Sequence, residues 1–249
     1  MENIKKLIET VRVLRGEGGC NWDREQTHTT LRPHMLEEAY EAVDAMNSGD
    51  MKHLREELGD VLLQVVLHSQ IADERGDFNV DDVACVINEK LVRRHPHVFS
   101  NTEVSCVDDI LRNWEQIKGE EKPHRKSVLD GVSKSQSALM SAQKLSKKAV
   151  KAGFEWQNEE QLYECIFSEF DEFKDACTFE EKQEELGDIL FALVNLARWN
   201  GIDAEQALIL SNEKFTKRFK CMEEQSQKPL KELTFDEWEE LWKQAKEES

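Results

Sequence analysis

The chain repeats itself. Glu56-Glu57-Leu58-Gly59-Asp60 returns as Glu184-Glu185-Leu186-Gly187-Asp188, and each pentapeptide runs into an apolar segment, Val61 to Val66 in the first copy and Ile189 to Val194 in the second. Upstream, Leu36-Glu37-Glu38-Ala39-Tyr40-Glu41 aligns with Phe167-Ser168-Glu169-Phe170-Asp171-Glu172. Downstream, Asn88-Glu89-Lys90-Leu91-Val92-Arg93-Arg94 aligns with Asn212-Glu213-Lys214-Phe215-Thr216-Lys217-Arg218. Trp114 and Lys118 return as Trp242 and Lys246, and Trp156 is the candidate counterpart of Trp22. Blocks matched in one order mean one unit written twice. The expected organisation is a first domain over 1–120, a linker over 121–135 and a second domain over 136–249. The break is expected between Gly119 and Val132, where Lys122-Pro123-His124-Arg125-Lys126-Ser127 is polar and helix-breaking, with a further turn from Gln225 to Pro229.

With only 4 Pro and 11 Gly, and charged residues mixed with Leu, Ala and Met at helical spacing, the fold class is all-α. Each unit reads as a bundle of about four helices. One apolar stripe is Leu36, Ala39, Tyr40 and Val43. Another is Leu58, Val61, Leu62, Val65 and Val66, repeated as Leu186, Ile189, Leu190, Leu193 and Val194. These helices are apolar over most of their circumference, which predicts burial against the sister domain or a second chain, and hence a homodimer. Gly59 and Gly187 interrupt the helical pattern at a cost of about 1 kcal/mol relative to Ala, so close backbone packing is expected there.

The formal net charge of −18 argues against nucleic acid as a partner, because non-specific binding to it is driven by Lys and Arg. No apolar stretch suits a signal peptide or a membrane span. The six cysteines show no C-x-x-C pair and read as buried, reduced thiols of a cytoplasmic protein.

The acidic residues carry the chemistry. Side chains three or four apart share a helix face, so Glu38 pairs with Glu41, and Glu57 with Asp60. The second copy offers Glu169, Glu172, Glu185 and Asp188. Four converging carboxylates repel each other unless a cation sits among them. Oxygen donors select a hard ion, Mg²⁺ or Mn²⁺. A lone E-x-x-E is usually a solvated helix face; its retention in both copies, on helices otherwise apolar, favours the metal. A di-iron bundle needs paired E-x-x-H motifs on long apolar helices, and neither Glu25/His28 nor Glu121/His124 lies on one. Lys90 with Arg94, and Lys214 with Arg218, share a face and suit phosphate oxygens; a solvated basic face explains the spacing as well. Trp114 and Trp242 suit stacking on a base or burial on an amphipathic helix. Arg94-His95-Pro96-His97 reads as a helix-ending turn.

E-E-x-x-E followed by E-x-x-D, carried twice in one helical chain, resembles the MazG family of nucleoside triphosphate pyrophosphohydrolases. Gly19 to Thr27, Arg93 to Phe99 and Trp114 to Lys118 are similar to its two-domain bacterial members. The resemblance implies a dimer that cleaves nucleoside triphosphates between the α and β phosphates with Mg²⁺, accepting many bases and sugars. It implies that Glu169, Glu172, Glu185 and Asp188 hold metal and that Lys214, Arg218 and Trp242 contact nucleotide. The equivalents in the first copy are Glu38, Glu41, Glu57, Asp60, Lys90, Arg94 and Trp114. A water oriented by a carboxylate would attack phosphorus in line. Glu37 is a candidate for that base in the first copy. The second has Ser168 at that position, yet in two-domain relatives the second copy is the competent one, so Glu184 is its candidate base. Asn21 stands where relatives often have Pro. A nucleotide-binding regulator without turnover is the alternative, and a helical scaffold that binds neither metal nor nucleotide is a third.

Overall fold

In the computed structural model, which describes residues 2–100, 102, 104–121 and 126–248, the chain divides into two compact units, Met1–Pro123 and His124–Ser249. Of the expected polar break from Lys122 to Ser127, residues 122–125 lie outside the described residues. Among the described residues both units are helical throughout. The first holds α1 (Glu2–Arg15), α2 (Asn21–Glu25), α3 (Arg32–Ser48), α4 (Met51–Asp73), α5 (Val80–Arg94), α6 (Pro96–Phe99) and α7 (Val107–Glu120). The second holds α8 (Ala138–Lys151), α9 (Glu159–Asp175), α10 (Phe179–Trp199), α11 (Ala204–Gln225), a 3-10 turn at Leu230–Glu232 and α12 (Phe235–Glu247). Each unit thus has five long helices rather than four. The additional ones, α1 and α8, precede the repeated blocks and pack on α4 and α10.

An antiparallel hairpin dominates each unit: α3 with α4, and α9 with α10. Gly49 closes α3 with φ 72°, a left-handed backbone that Gly adopts without a Cβ penalty. Asp50 then caps α4, accepting the N–H groups of Lys52 and His53. In the second unit Thr178 and Glu181 form a capping box at the start of α10. Tight turns with capped ends fix the register of both hairpins.

The first core joins Val11 of α1 and Leu31 to Val66, Leu67 and Ile71 of α4. Each fully buried aliphatic side chain contributes roughly 1.5–3 kcal/mol. The second core joins Leu162 and Ile166 to Ala192, with Trp156, Leu196 and Trp199 packed against them. Trp22, by contrast, is exposed on α2, so it and Trp156 do not play one role. A charged clamp ties each first helix to the long helix beneath it. Arg15, at the end of α1, donates to both oxygens of Glu74 at 2.8 and 2.7 Å and to the backbone carbonyls of Asp23 and Gln26. In the second unit the charges are inverted: Arg198 of α10 donates to Glu155, just beyond α8, at 2.7 Å through both nitrogens.

Within the chain, Leu36, Tyr40, Val43, Leu58 and Leu62 are exposed, as are Leu186, Leu190 and Leu193. The face of α3 that meets its neighbour instead runs through Leu31, Met35, Glu38, Ala42 and Ala45. The first hairpin turns Glu38 and Glu57 inward, the second half-buries Glu169 and Glu185, and both leave apolar stripes outward. A Cβ placed on Gly59 or Gly187 would meet nothing within 4 Å, so neither glycine marks a close approach within the chain. The cysteines are free as expected but not buried: Cys85, Cys106 and Cys177 are exposed and Cys20, Cys165 and Cys221 half-buried. Cys20 and Cys106 sit at helix N-caps and Cys177 in the α9–α10 turn, while Cys165 meets Glu169 and Cys221 meets Glu248. No helix among the described residues is long and apolar enough to cross a membrane.

Candidate active site

Acidic residues of the hairpin create a carboxylate cluster in each unit. Ala42 and Ala45, both buried, let α3 lie close to α4. One turn before them, Glu38 meets the start of α4. Oxygens of Glu38, Glu41 and Glu57 lie within 4.8 Å of one another, and so do those of Glu169, Glu172 and Glu185. Asp60 and Asp188 stand outside these tight triads but near enough to push up the pKa of Glu38 and of Glu169. Glu57 is only 8% exposed; one oxygen faces His53 Nε2 at 3.0 Å and the other is buried without a hydrogen-bond partner. Such an orphan acceptor costs roughly 1–3 kcal/mol or more, a penalty that a divalent cation would offset. All-oxygen donors with an orphaned carboxylate fit a hard ion.

The electrostatics agree with the geometry. Desolvation, then the charges of Asp60, Glu37 and Glu57, raise Glu38 above the usual carboxylate range, while His34 opposes them. Desolvation and the carboxylates of Glu57, Glu38 and Glu37 raise Glu41. Desolvation followed by Glu172 and Asp188 raises Glu169. Desolvation, then Glu172, Asp188, Glu169 and Glu184, raises Glu185. The candidate bases Glu37 and Glu184 are exposed beside their triads. Ser168 donates to Glu172 at 3.0 Å, so the residue standing in place of Glu37 steadies a triad member.

The bases and tryptophans lie on a second helix pair, α5 with α7 and α11 with α12. The prominent packing of α3 is with α4, and that of α9 with α10. In the first unit, Arg94 lies over Trp114 at 5.2 Å and pairs with Glu121, which Arg93 also reaches at 2.7 Å. These contacts hold the Glu121 carboxyl down to about 2, with Arg94 the larger cause. His95 packs edge-on against Trp114 at 4.9 Å, and α5 ends there as the sequence predicts. In the second unit, Trp242 is flanked by Phe215 at 5.6 Å, Arg218 at 6.0 Å and Lys246 at 5.8 Å. Beside it opens an apolar groove of about 310 Å³ lined by Phe215, Phe219, Met222, Phe235, Trp238 and Trp242, with Glu239 at its rim. Lys90 is half-buried and Lys214 exposed.

A family model described as the MazG nucleotide pyrophosphohydrolase domain matches residues 26–99 and again 157–222. The chain belongs to the MazG family. Both triads and both Lys/Arg pairs fall inside the MazG matches, whereas Trp114 and Trp242 lie beyond them. The chain is 43% identical over 247 residues to the nucleoside triphosphate pyrophosphohydrolase/pyrophosphatase MazG of Thermotoga maritima, covering 98% of this chain and 95% of that one. It is 42% identical over 257 residues to the nucleoside triphosphate pyrophosphohydrolase of Escherichia coli K12, covering 99% and 98%. It is 45% identical to Bacillus subtilis YabN over 245 residues, 95% of this chain and 50% of that one.

Sequence reasoning missed three contacts around the candidate site residues. His53 beside Glu57 was signalled by the His-x-x-x-Glu spacing. The Ser168–Glu172 bond had the same i, i+4 signal. The tie between Arg94 and Glu121 spans α5 and α7, and no local spacing announces it.

Proposed function

We propose that the second copy is the catalytic one and that it hydrolyses nucleoside triphosphates to the monophosphate and pyrophosphate with Mg²⁺, accepting a broad range of bases and sugars. The observation that carries this reading is the Glu169–Glu172–Glu185 triad, in a chain whose family is defined by nucleotide pyrophosphohydrolysis. The chemistry a bound Mg²⁺, or Mn²⁺, supplies is charge neutralisation on the phosphate oxygens. Glu169, Glu172, Glu185 and Asp188 hold it, and Glu184, exposed beside the triad, accepts the proton of the attacking water. Lys214 and Arg218 stabilise charge on the departing pyrophosphate. Trp242 stacks on the base, a role supported by the aromatic groove beside it. In the first copy a nucleotide phosphate would have to displace Glu121 from Arg94.

We further read the protein as a cytoplasmic homodimer. The outward stripes with Leu36, Tyr40, Leu58 and Leu62, and with Phe167, Leu186 and Leu190, are what a second chain would cover. The deciding experiment is ³¹P NMR of ATP incubated with the protein, with and without Mg²⁺. Appearance of AMP and pyrophosphate only with Mg²⁺ is expected. Release of orthophosphate, or turnover without the ion, overturns the proposal; binding without turnover across a panel of nucleotides supports a regulator instead.

A further inference from the structure

The groove beside Trp242 has a polarity that its apolar lining does not explain. On α12, Phe235, Glu239, Trp242 and Lys246 recur every three or four residues, so they share one face. Aromatic side chains of α11 and α12 dominate the groove, and Glu239 is the one charged residue in its lining. Glu239 accepts no hydrogen bond and makes no ion pair among the described residues. One turn beyond Trp242 on the other side, Lys246 lies 5.8 Å from the indole ring, and Arg218 of α11 approaches the same ring at 6.0 Å. The stripe therefore runs from carboxylate through indole to cation. The repeat alignment puts Leu111 at the position of Glu239 in the first copy, so this carboxylate belongs to the second copy alone.

That order is the order of a nucleotide. Phosphates seek the cations, a base stacks on the indole, and the edge of the base opposite its sugar points away from the phosphates, toward the carboxylate. An ionised carboxylate only accepts hydrogen bonds. Guanine offers it two parallel N–H donors on that edge, N1–H and the 2-amino group. Hypoxanthine keeps N1–H and lacks the amino group. Uracil has one N–H between two carbonyl oxygens that repel the carboxylate. We propose that Glu239 is the base-selecting residue of the second copy and ranks guanine nucleotides above hypoxanthine and uracil nucleotides. The proposal rests on reading Trp242 as the base platform and deepens it: all bases are accepted, at rates graded by the donors they present. A site with a polar group to satisfy discriminates against ligands that leave it unpaired. An apolar segment of a second chain would fill the aromatic lining but leave the carboxylate without a partner.

The test measures pyrophosphate release by the full chain with Mg²⁺ and GTP, ITP or UTP. kcat/KM is expected to be roughly tenfold higher for GTP than for ITP or UTP, the size of one bidentate base contact. Glu239→Gln, whose amide also donates, is expected to bring the three within about twofold of one another, through KM rather than kcat. Glu240→Gln is expected to leave the ranking intact, since Glu240 accepts from Gln244 and does not line the groove. A parent that handles UTP as well as GTP, or a Glu239→Gln ranking equal to the parent's, overturns the proposal. If Trp242→Ala leaves KM unchanged for all three nucleotides, the base does not lie in this groove and the stacking role falls with the proposal. Equilibrium dialysis of the same nucleotides separates base recognition from hydrolysis. Tighter binding of GTP that Glu239→Gln abolishes supports the assignment even without turnover, and equal binding of GTP and UTP refutes it.

Discussion

The first and second copies agree on one helix pair and disagree on the other. The α3–α4 and α9–α10 hairpins hold matching glutamates at matching turns, each cluster within the same 4.8 Å. On the other pair, Arg94 is bound by Glu121 beneath Trp114, while α11 and α12 frame an aromatic groove around Trp242. Where the first copy has Leu91, His95 and Ile110, the repeat alignment gives the second Phe215, Phe219 and Trp238. Glu38 and Glu57 occupy inward positions of the first hairpin, where a carboxylate costs stability rather than adding it. The second helix pair packs less on the rest of its unit and is freer to diverge.

The largest test of this contrast is catalytic. Glu172→Gln is expected to lower turnover on the order of 10²- to 10³-fold, and Glu41→Gln to leave it within about twofold of the parent. Pyrophosphate release in steady state measures both, and the reverse pattern would transfer the chemistry to the first copy. Next in size is the base contact. Loss of a stacking tryptophan removes about 1–3 kcal/mol, so Trp242→Ala is expected to raise KM roughly tenfold or more, and Trp114→Ala to leave it unchanged.

A third expectation concerns Glu121 and is read from stability against pH. Its carboxyl is held at about 2 in the folded unit, against an ordinary 4.5, by Arg94 and Arg93. A depressed carboxylate stabilises the fold fully above its unfolded pKa and loses that contribution as pH falls through the folded one. Glu121→Gln should therefore lower the urea midpoint of the first unit at pH 7 and flatten its acid dependence between 4.5 and 2. An unchanged profile would mean that Arg94 is not committed to this pair in solution. The smallest effect is at Gly187. With open space around its Cβ position, Gly187→Ala should stabilise the second unit by about 0.5–1 kcal/mol in urea denaturation. Destabilisation instead would mean that another surface presses on α10 there.

The repeat made the helical class, the tandem units and the triads legible, because i, i+3 spacing fixes which carboxylates share a face whatever surrounds them. Spacing did not reveal which face turns inward. Leu36, Tyr40 and Leu58 form apolar stripes at helical period, yet within the chain Glu38 and Glu57 take the inward positions and the stripes stay outside. Helices α1 and α8 escaped notice because they carry no repeated block. Glu121 escaped because its partners lie 27 and 28 residues away, across a helix pair whose packing only tertiary structure defines.

The inverted clamps bear on how a duplicated chain avoids exchanging its parts. Tandem copies can misfold by pairing a segment of one repeat with the frame of the other. Were α1 to dock on α10, or α8 on α4, a nearly buried arginine, Arg15 or Arg198, at 5% and 9% side-chain exposure, would be left without the carboxylate that now neutralises it. A buried charge without its partner is costly, so each clamp favours the first helix of its own copy.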